Sequence, residues 1–236
     1  MTLDRAILMA WVKAARDGYI EGILNVKRGM DQLCGALGVR SVFLPLQYPA
    51  IIRPQMQSLT CKQLDRSQLG VWLSRAEDTR KICPALPYAM YQLRNEITLN
   101  GSGINWDILS LMNKLEIRLG NVSTNPIPQA QLQKIMQEMD LNIYLTSSEC
   151  SPMLPLESLA LGVPCLMGPV TYYFEDNCYL KERLVVSNIS DPRSIQLSIK
   201  RALAERSDIL DAYTAYQESH AGETQSVLFN FLKVAD

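Results

Sequence analysis

The sequence has no excess of basic residues and no cluster of them. Its 236 residues include 23 Lys and Arg against 24 Asp and Glu, which gives a formal net charge of -1. Neutralising nucleic-acid phosphates requires a basic face that stands out from the rest of the surface, and no Lys/Arg block supplies one. We therefore expect no nucleic-acid partner.

Long apolar runs are also missing. No stretch of about 18 apolar residues occurs, so we expect no transmembrane segment. The first 18 residues carry several charges in an amphipathic pattern and do not resemble a secretory signal. With 47% hydrophobic and 20% charged residues, the chain is long enough for one large α/β domain, or for a small domain fused to part of another.

Cysteines with metal-ligand spacing are absent. There is no C-x-x-C pair and no Cys/His cluster, and the only histidine, His220, fits a surface helix better than a catalytic role. The pattern favours a cytosolic protein with reduced thiols and no zinc site. We also expect no bound cofactor, and peripheral association with a membrane stays open. The six dispersed cysteines are Cys34, Cys61, Cys83, Cys150, Cys165 and Cys178.

Helical and extended segments alternate along the chain, which is typical of a parallel sheet with helices on its faces. The first part predicts only two strands and two helices, too few for a complete sheet domain. It therefore belongs to a larger polypeptide or docks on a partner that completes its sheet. We expect an incomplete α/β unit at 1–48, a linker containing Pro49 and Pro54 at 49–67, a main domain at 68–206 and a C-terminal helix at 207–236.

The main domain predicts a Rossmann-like, doubly wound parallel sheet. Its first strand-to-helix turn lacks G-x-G-x-x-G, which argues against a dinucleotide-dependent oxidoreductase. Six strands are expected, at 69–74, 96–99, 117–122, 141–145, 164–167 and 184–186. Helices are expected between them at 81–95, 106–115, 129–139, 154–161 and 193–205.

The most informative segment, SSECSPMLPLESLALGVP, follows the fourth of these strands at 147–164. A polar loop leads into a helix, so the backbone N–H groups of Ser151, Met153 and Leu154 are placed to meet an anion, helped by the helix dipole. Glu149 lies before the helix and Glu157 within it, eight positions later. One carboxylate can lie near the head of a ligand while the other reaches a more distant pair of hydroxyls.

The segment GVWLSRAEDTRK, which contains the end of the first strand of the main domain, carries two candidate basic residues six positions apart. Arg75 lies at the strand end and Lys81 at the start of the next helix. A fixed Arg/Lys pair of this kind can stabilise negative charge on a bound anion. Taken singly, each candidate also has a structural interpretation: ion pairing of the two cations with Glu77 or Asp78, a helix cap for Glu149 and a solvated helix position for Glu157.

The two glutamates, followed by SLALGVP, closely resemble the donor-site signature of retaining GT-B glycosyltransferases of the family 4 type. The resemblance covers 68–187 well, and 22–49 more loosely as the end of the family's N-terminal domain. Two positions depart from the family pattern, since Cys150 and Ser74 stand where glycine is common.

The resemblance implies a role for each matching residue. Glu149 would orient the transferred sugar, and Glu157 would bind the ribose hydroxyls. Arg75 and Lys81 would hold the departing diphosphate, so that these two and Glu149 form the catalytic set. The backbone of Ser151, Pro152, Met153 and Leu154 would contact the donor diphosphate.

Two further segments are weaker candidates for contacts with the base or the sugar. The Gly101-Ser102-Gly103 segment follows the second strand and is interpreted as a turn, with a donor contact at Gly101 as the alternative. Asn121, Val122 and Ser123 end the third strand, and ligands gather at the carboxyl ends of parallel strands.

The resemblance thus implies a metal-independent, retaining hexosyl- or deoxyhexosyltransferase, or the donor-binding part of one. The expected partners are a nucleotide-sugar donor, with uridine preferred to guanosine diphosphate, a glycan or lipid-linked acceptor, and an N-terminal acceptor domain in cis or in trans. The alternative is a nucleotide-binding interaction module that becomes active only with a partner domain.

Overall fold

The computed structural model describes residues 2–52, 66–73, 83–149, 151–169 and 172–233. The chain divides into two compact units, one made of Met1–Tyr48 and His220–Asp236 and the other of Pro49–Ser219. The C-terminal residues therefore belong to the same unit as the N-terminal ones, whereas the sequence analysis treated them as a separate helix.

The strands are β1 (Ile23–Asn25), β2 (Ser41–Phe43), β3 (Ser67–Trp72), β4 (Ile97–Ser102), β5 (Leu119–Val122), β6 (Leu141–Tyr144) and β7 (Cys165–Met167). The helices are α1 (Thr2–Arg16), α2 (Met30–Ala36), α3 (Leu86–Tyr91), α4 (Trp106–Lys114), α5 (Gln129–Met136), α6 (Met153–Ala160), α7 (Cys178–Leu184), α8 (Pro192–Ala204), α9 (Arg206–Ser219) and α10 (Glu223–Lys233). Over the described ranges, none of these helices is long and apolar enough to cross a membrane.

The smaller unit pairs β1 with β2 in parallel and packs them with α1, α2 and α10. Its buried core consists of Val12, Ile23, Cys34 and Val39. The α10 helix is held by Arg40, whose guanidinium lies 4.3 Å from the centre of the Phe231 ring and donates to the Phe231 carbonyl oxygen over 2.6 Å.

The larger unit contains a five-stranded sheet in the order β5-β4-β3-β6-β7 with every pair parallel. The inner strands are almost entirely buried, as expected for strands covered by helices on both faces. The doubly wound parallel sheet expected from the sequence is therefore confirmed.

Asn142 is a fully buried polar residue in the middle of β6. Its Oδ1 accepts a 2.6 Å hydrogen bond from the Trp72 indole on β3, and its Nδ2 donates over 2.8 Å to Ser158 Oγ on α6 and over 3.3 Å to the Met136 carbonyl oxygen. Ser158 in turn donates to the Val163 carbonyl oxygen over 2.8 Å. This network ties the α6 helix to the centre of the sheet.

Two expectations about secondary structure are wrong. The sixth strand at 184–186 does not form, because Leu180 and Leu184 bury one face of α7, and only Val185 makes an isolated parallel bridge, to Met167. The expected helix at 207–236 is two helices, α9 and α10, separated at Gly222, whose φ is 88°. Local apolar runs predict both features. Helical packing of Leu180 and Leu184 prevents the strand, and the turn at Gly222 divides the helix.

Replacing Asn142 by alanine removes a side chain with three hydrogen-bond partners and leaves those partners unpaired in the core. We expect Asn142→Ala to lower the free energy of unfolding by about 2–4 kcal/mol, measured by denaturant titration of the whole chain. The control is Asn113→Ala on the exposed face of α4, which should change it by less than about 0.5 kcal/mol. Equal effects of the two substitutions would contradict this role of Asn142.

Candidate donor site

The carboxyl ends of β3 and β6 meet at the centre of the five-stranded sheet. The chain continues from β3 to β4 on one side and from β6 to β7 on the other. In doubly wound sheets such a divergence opens a crevice outside the strand ends, where ligands bind. The loop after β6 brings the predicted Glu149 and the start of α6 to this point.

Glu149 is half-buried, and its carboxylate is held by Tyr144 at the end of β6. The Tyr144 hydroxyl donates to Glu149 Oε1 over 2.7 Å, and Tyr144 itself is buried. Hydrogen bonds to a carboxylate are among the stronger ones in proteins. The N-cap residue of α6 is Pro152, which has no side-chain group to cap the helix. The carboxylate of Glu149 is therefore held by a residue of the strand.

The first turn of α6 presents backbone donors that have no partner within the helix. Pro155 has no N–H, so Met153 and Leu154 supply these donors within the helix, at the positive end of its dipole. The Met153 side chain is 50% exposed, whereas Leu154 packs against the cluster that contains Trp72 and Met136. The start of the helix therefore lies at the surface and is anchored on its inner side.

A second tyrosine contacts this loop where the helix begins. The Tyr173 hydroxyl donates to the Pro152 carbonyl oxygen over 3.0 Å, and Tyr173 is 1% exposed. The next residue, Phe174, is fully buried with a φ of 60°, a left-handed conformation that bulky residues rarely adopt. Such a conformation persists only where the surrounding packing determines it.

Glu157 lies on α6, and its carboxylate points toward the start of α5. Gln129 Nε2 donates to Glu157 Oε1 over 3.3 Å in a solvent-exposed contact. Because this bond is long, it contributes little. Among the described residues, Glu157 Oε2 has no hydrogen-bond partner, so it can accept from ligand hydroxyls.

The remaining candidates are spread over two regions. Arg75 and Lys81, and the departing positions Ser74 and Cys150, lie outside the described residues. The Asn121–Ser123 segment ends β5, three strand positions from β6, which corresponds to about 14 Å. Contacts of these residues with a donor stay predictions.

The interpretation of residues 101–103 as a turn is wrong for two of the three. Gly101 and Ser102 belong to β4 and pair with Val71 and Trp72 of β3. Their pairing along β3 decides this, and glycine content alone does not reveal it. Gly101 is buried, and only Gly103, with a φ of 67°, turns the chain.

A small apolar cavity of about 20 Å³ lies at the same end of the sheet, beside α3 and α4. Burial raises the pKa of the Cys83 thiol in its wall, so this thiol is protonated at neutral pH and is not a nucleophile. Other lining residues are Val71, Leu73, Ile108, Met112, Ile143 and Leu145.

The solved structures most informative for comparison are GT-B glycosyltransferases. Anabaena HepE in complex with UDP and glucose aligns with a TM-score of 0.68 and 12% identity over 97% of this chain and 66% of HepE. WaaG, a glycosyltransferase involved in lipopolysaccharide biosynthesis, aligns with a TM-score of 0.60 and 17% sequence identity, over 84% of this chain and 57% of WaaG. Sucrose-phosphate synthase from Thermosynechococcus elongatus aligns with a TM-score of 0.59 and 15% sequence identity, over 84% of this chain and 54% of the synthase.

At sequence identities of 12–17%, the structural similarity establishes a shared fold only. The chain is a doubly wound α/β protein, and more narrowly it has the GT-B glycosyltransferase fold that its sequence motifs resemble. It spans between 54% and 66% of the length of these three structures. The sequence matches no protein-family model and no curated protein.

Tyr144 and Tyr173 both contact the candidate loop, but neither belongs to a sequence motif that predicts this role. A tyrosine at the end of an apolar strand, five residues before a glutamate, is a weak signal for Tyr144. Tyr173 lies 21 residues from its partner Pro152, so only the tertiary structure reveals this contact.

Gly103 permits the close approach of the β3 and β4 ends beside the crevice. A Cβ added there would lie 2.1 Å from the Leu73 carbonyl oxygen, and its φ of 67° already disfavours other residues. We expect Gly103→Ala to lower the free energy of unfolding by about 3 kcal/mol, from strain and clash together. Gly29 has a φ of 84°, but no atom lies within 4 Å of a Cβ added there. Gly29→Ala should therefore lower the free energy of unfolding by only about 1 kcal/mol. Similar losses for both in denaturant titration would contradict the close approach.

Proposed function

We propose that this chain is the donor-binding part of a retaining, metal-independent GT-B glycosyltransferase. The observation that carries the proposal is the arrangement at the sheet divergence, where a carboxylate held by a buried tyrosine lies in the loop that ends at the exposed start of α6. Anions are stabilised at helix N-termini, and ligands of doubly wound sheets bind at this edge.

The proposed donor is a nucleoside diphosphate sugar. Its diphosphate lies on the amides from Ser151 to Leu154, and Arg75 and Lys81 add positive charge. Glu157, whose Oε2 has no partner among the described residues, accepts hydrogen bonds from the ribose hydroxyls. Glu149 orients the sugar, since Tyr144 fixes its carboxylate.

In the proposed reaction the bond between the anomeric carbon and the diphosphate oxygen breaks, and the electron pair leaves with the diphosphate. The acceptor oxygen forms its bond on the same face, and its proton passes to the departing diphosphate. Arg75 and Lys81 stabilise the charge that develops on the leaving group, so no metal is required.

A UDP-linked sugar is the preferred donor. Support comes from HepE, whose structure contains UDP and glucose and has the same fold at 12% identity. Because the chain spans only 66% of HepE, we propose that a glycan or lipid-linked acceptor binds with the help of an N-terminal domain, in cis or in trans.

One observation favours a second candidate, an interaction module that binds a nucleotide and acts only with a partner. The sheet of the smaller unit has two described strands, whereas parallel sheets are normally larger and covered on both faces. In the same unit Trp11 is 54% exposed and Phe229 is 60% exposed. Exposed apolar residues of this size are a feature of interaction surfaces.

We expect UDP to bind the chain with the same affinity with and without magnesium, measured by calorimetric titration. Arg75→Ala and Lys81→Ala should each weaken binding by about 1–3 kcal/mol, because each removes a charge-assisted contact to the diphosphate. This corresponds to an increase of about 5- to 150-fold in Kd.

The controls for these substitutions are Arg118→Ala and Lys114→Ala. Arg118 immediately precedes β5, and Lys114 ends α4, so both exposed cations lie toward the amino ends of the strands, away from the crevice. Both should leave the Kd unchanged. Equal effects of candidate and control substitutions, or unchanged affinity in Arg75→Ala and Lys81→Ala, would contradict the diphosphate assignment.

Glu157 is tested by comparing UDP with its 2′,3′-dideoxy analogue. The wild-type chain should bind UDP about 10-fold more tightly, because hydroxyl donors to a carboxylate contribute about 1.5–3 kcal/mol and only part of this is retained at an exposed site. Glu157→Gln should reduce this preference for UDP, whereas the control Glu138→Gln, at an exposed position two residues after α5, should not. A preference that survives Glu157→Gln would overturn the ribose assignment.

A further inference from the structure

We propose that Tyr144 and Tyr173 are positioning residues that hold the loop between β6 and α6 in its donor-binding conformation. Tyr144 sets the carboxylate of Glu149 on the sugar side, and Tyr173 sets the start of α6 on the diphosphate side. This inference rests on the proposed function and assigns two separate contributions within the same site.

The two tyrosines contact the loop from different elements. Tyr144 belongs to β6, and its hydroxyl donates to Glu149 Oε1 over 2.7 Å. Tyr173 follows β7, and its hydroxyl donates to the Pro152 carbonyl oxygen over 3.0 Å. The two acceptors lie three residues apart in the loop: one is the Glu149 carboxylate, and the other is the carbonyl oxygen of Pro152, the N-cap residue of α6. The loop is therefore held at both ends, while Ser151 between them remains only half-buried.

The support for Tyr173 extends to α9. Its ring lies 6.3 Å from that of Phe174, whose own ring makes an edge contact of 5.3 Å with Tyr216. Tyr216 donates to Asp176 Oδ1 over 2.7 Å. The left-handed backbone at Phe174 is thus fixed on both sides, and it places Tyr173 toward the loop. This arrangement explains why an unfavourable conformation is retained in a fully buried phenylalanine.

The hydroxyl groups can be removed without removing the rings. In Tyr173→Phe the ring keeps its neighbours, and only the hydrogen bond from the hydroxyl to the Pro152 carbonyl oxygen is lost. In Tyr144→Phe the strand keeps its apolar packing, and Glu149 keeps its charge. Both variants should fold, and the change is confined to the loop.

Tyr213→Phe is a matched control. Tyr213 is also fully buried, and its hydroxyl also donates to a proline carbonyl, that of Pro49, over 2.7 Å. Its acceptor lies outside the β6–α6 loop. The variant therefore removes the same chemical group from the same kind of bond at a different place.

The first experiment needs no ligand. Amide hydrogen exchange of the whole chain reports the opening of the first turn of α6 at Glu157 and Ser158, the first amides whose acceptors lie within the helix. In Tyr173→Phe we expect these amides to exchange about five-fold faster than in the wild type, as one lost hydrogen bond at the N-cap allows. In Tyr213→Phe they should be unchanged. Equal exchange in Tyr173→Phe and the wild type would overturn the role of Tyr173.

The second experiment compares the affinities of UDP and UDP-glucose by calorimetry. Tyr173→Phe should weaken both ligands by the same factor, about three- to ten-fold, because it loosens the diphosphate seat. Tyr144→Phe should leave UDP unchanged and weaken UDP-glucose, and Glu149→Gln should do the same. The double variant should be no weaker than Glu149→Gln alone, since Tyr144 acts through that carboxylate.

The outcomes separate this inference from the proposed function. Failure of the wild type to bind UDP would contradict the proposed function and the donor-positioning roles, while the exchange experiment would still decide whether Tyr173 holds α6. Binding of UDP by the wild type, with both tyrosine variants matching Tyr213→Phe, would overturn the positioning roles and leave the proposed function standing.

Discussion

The junction made by Asn142 is the interaction on which the rest of the candidate site depends. Its amide joins the Trp72 indole on β3 to Ser158 on α6, in a core from which water is excluded. Loss of one partner from such a buried polar network destabilises the fold, whereas a network with every group paired favours a single arrangement of the core. It sets the position of α6 relative to the two strands that diverge, and with it the position of the helix N-terminus that is proposed to receive the diphosphate.

Two buried tyrosines hold the loop above this junction. Glu149 and the Pro152 carbonyl each accept a hydrogen bond from a tyrosine in a different element. Groups held in this way lose less entropy when a ligand binds, and they stabilise developing charge without rearranging. The GT-B fold supplies the crevice, and these contacts determine how its donors and carboxylates are presented.

Local sequence patterns predicted much of this fold. The start of α6 was placed one residue from the observed Met153, because a polar loop there changes abruptly to an apolar helical period. Long-range contacts were not predictable in the same way. Gly101 and Ser102 join β4 through pairing with β3, and Val185 stays outside a strand because the preceding residues bury a helical face. The tyrosine contacts likewise depend on which elements the topology brings together.

The central claim is that a nucleoside diphosphate binds at the start of α6. The most direct measurement is a crystal structure of this chain with UDP bound. The account predicts the diphosphate within hydrogen-bond distance of the Met153 and Leu154 amides, with the ribose hydroxyls on the Glu157 carboxylate. A nucleotide bound anywhere else on the chain would contradict it.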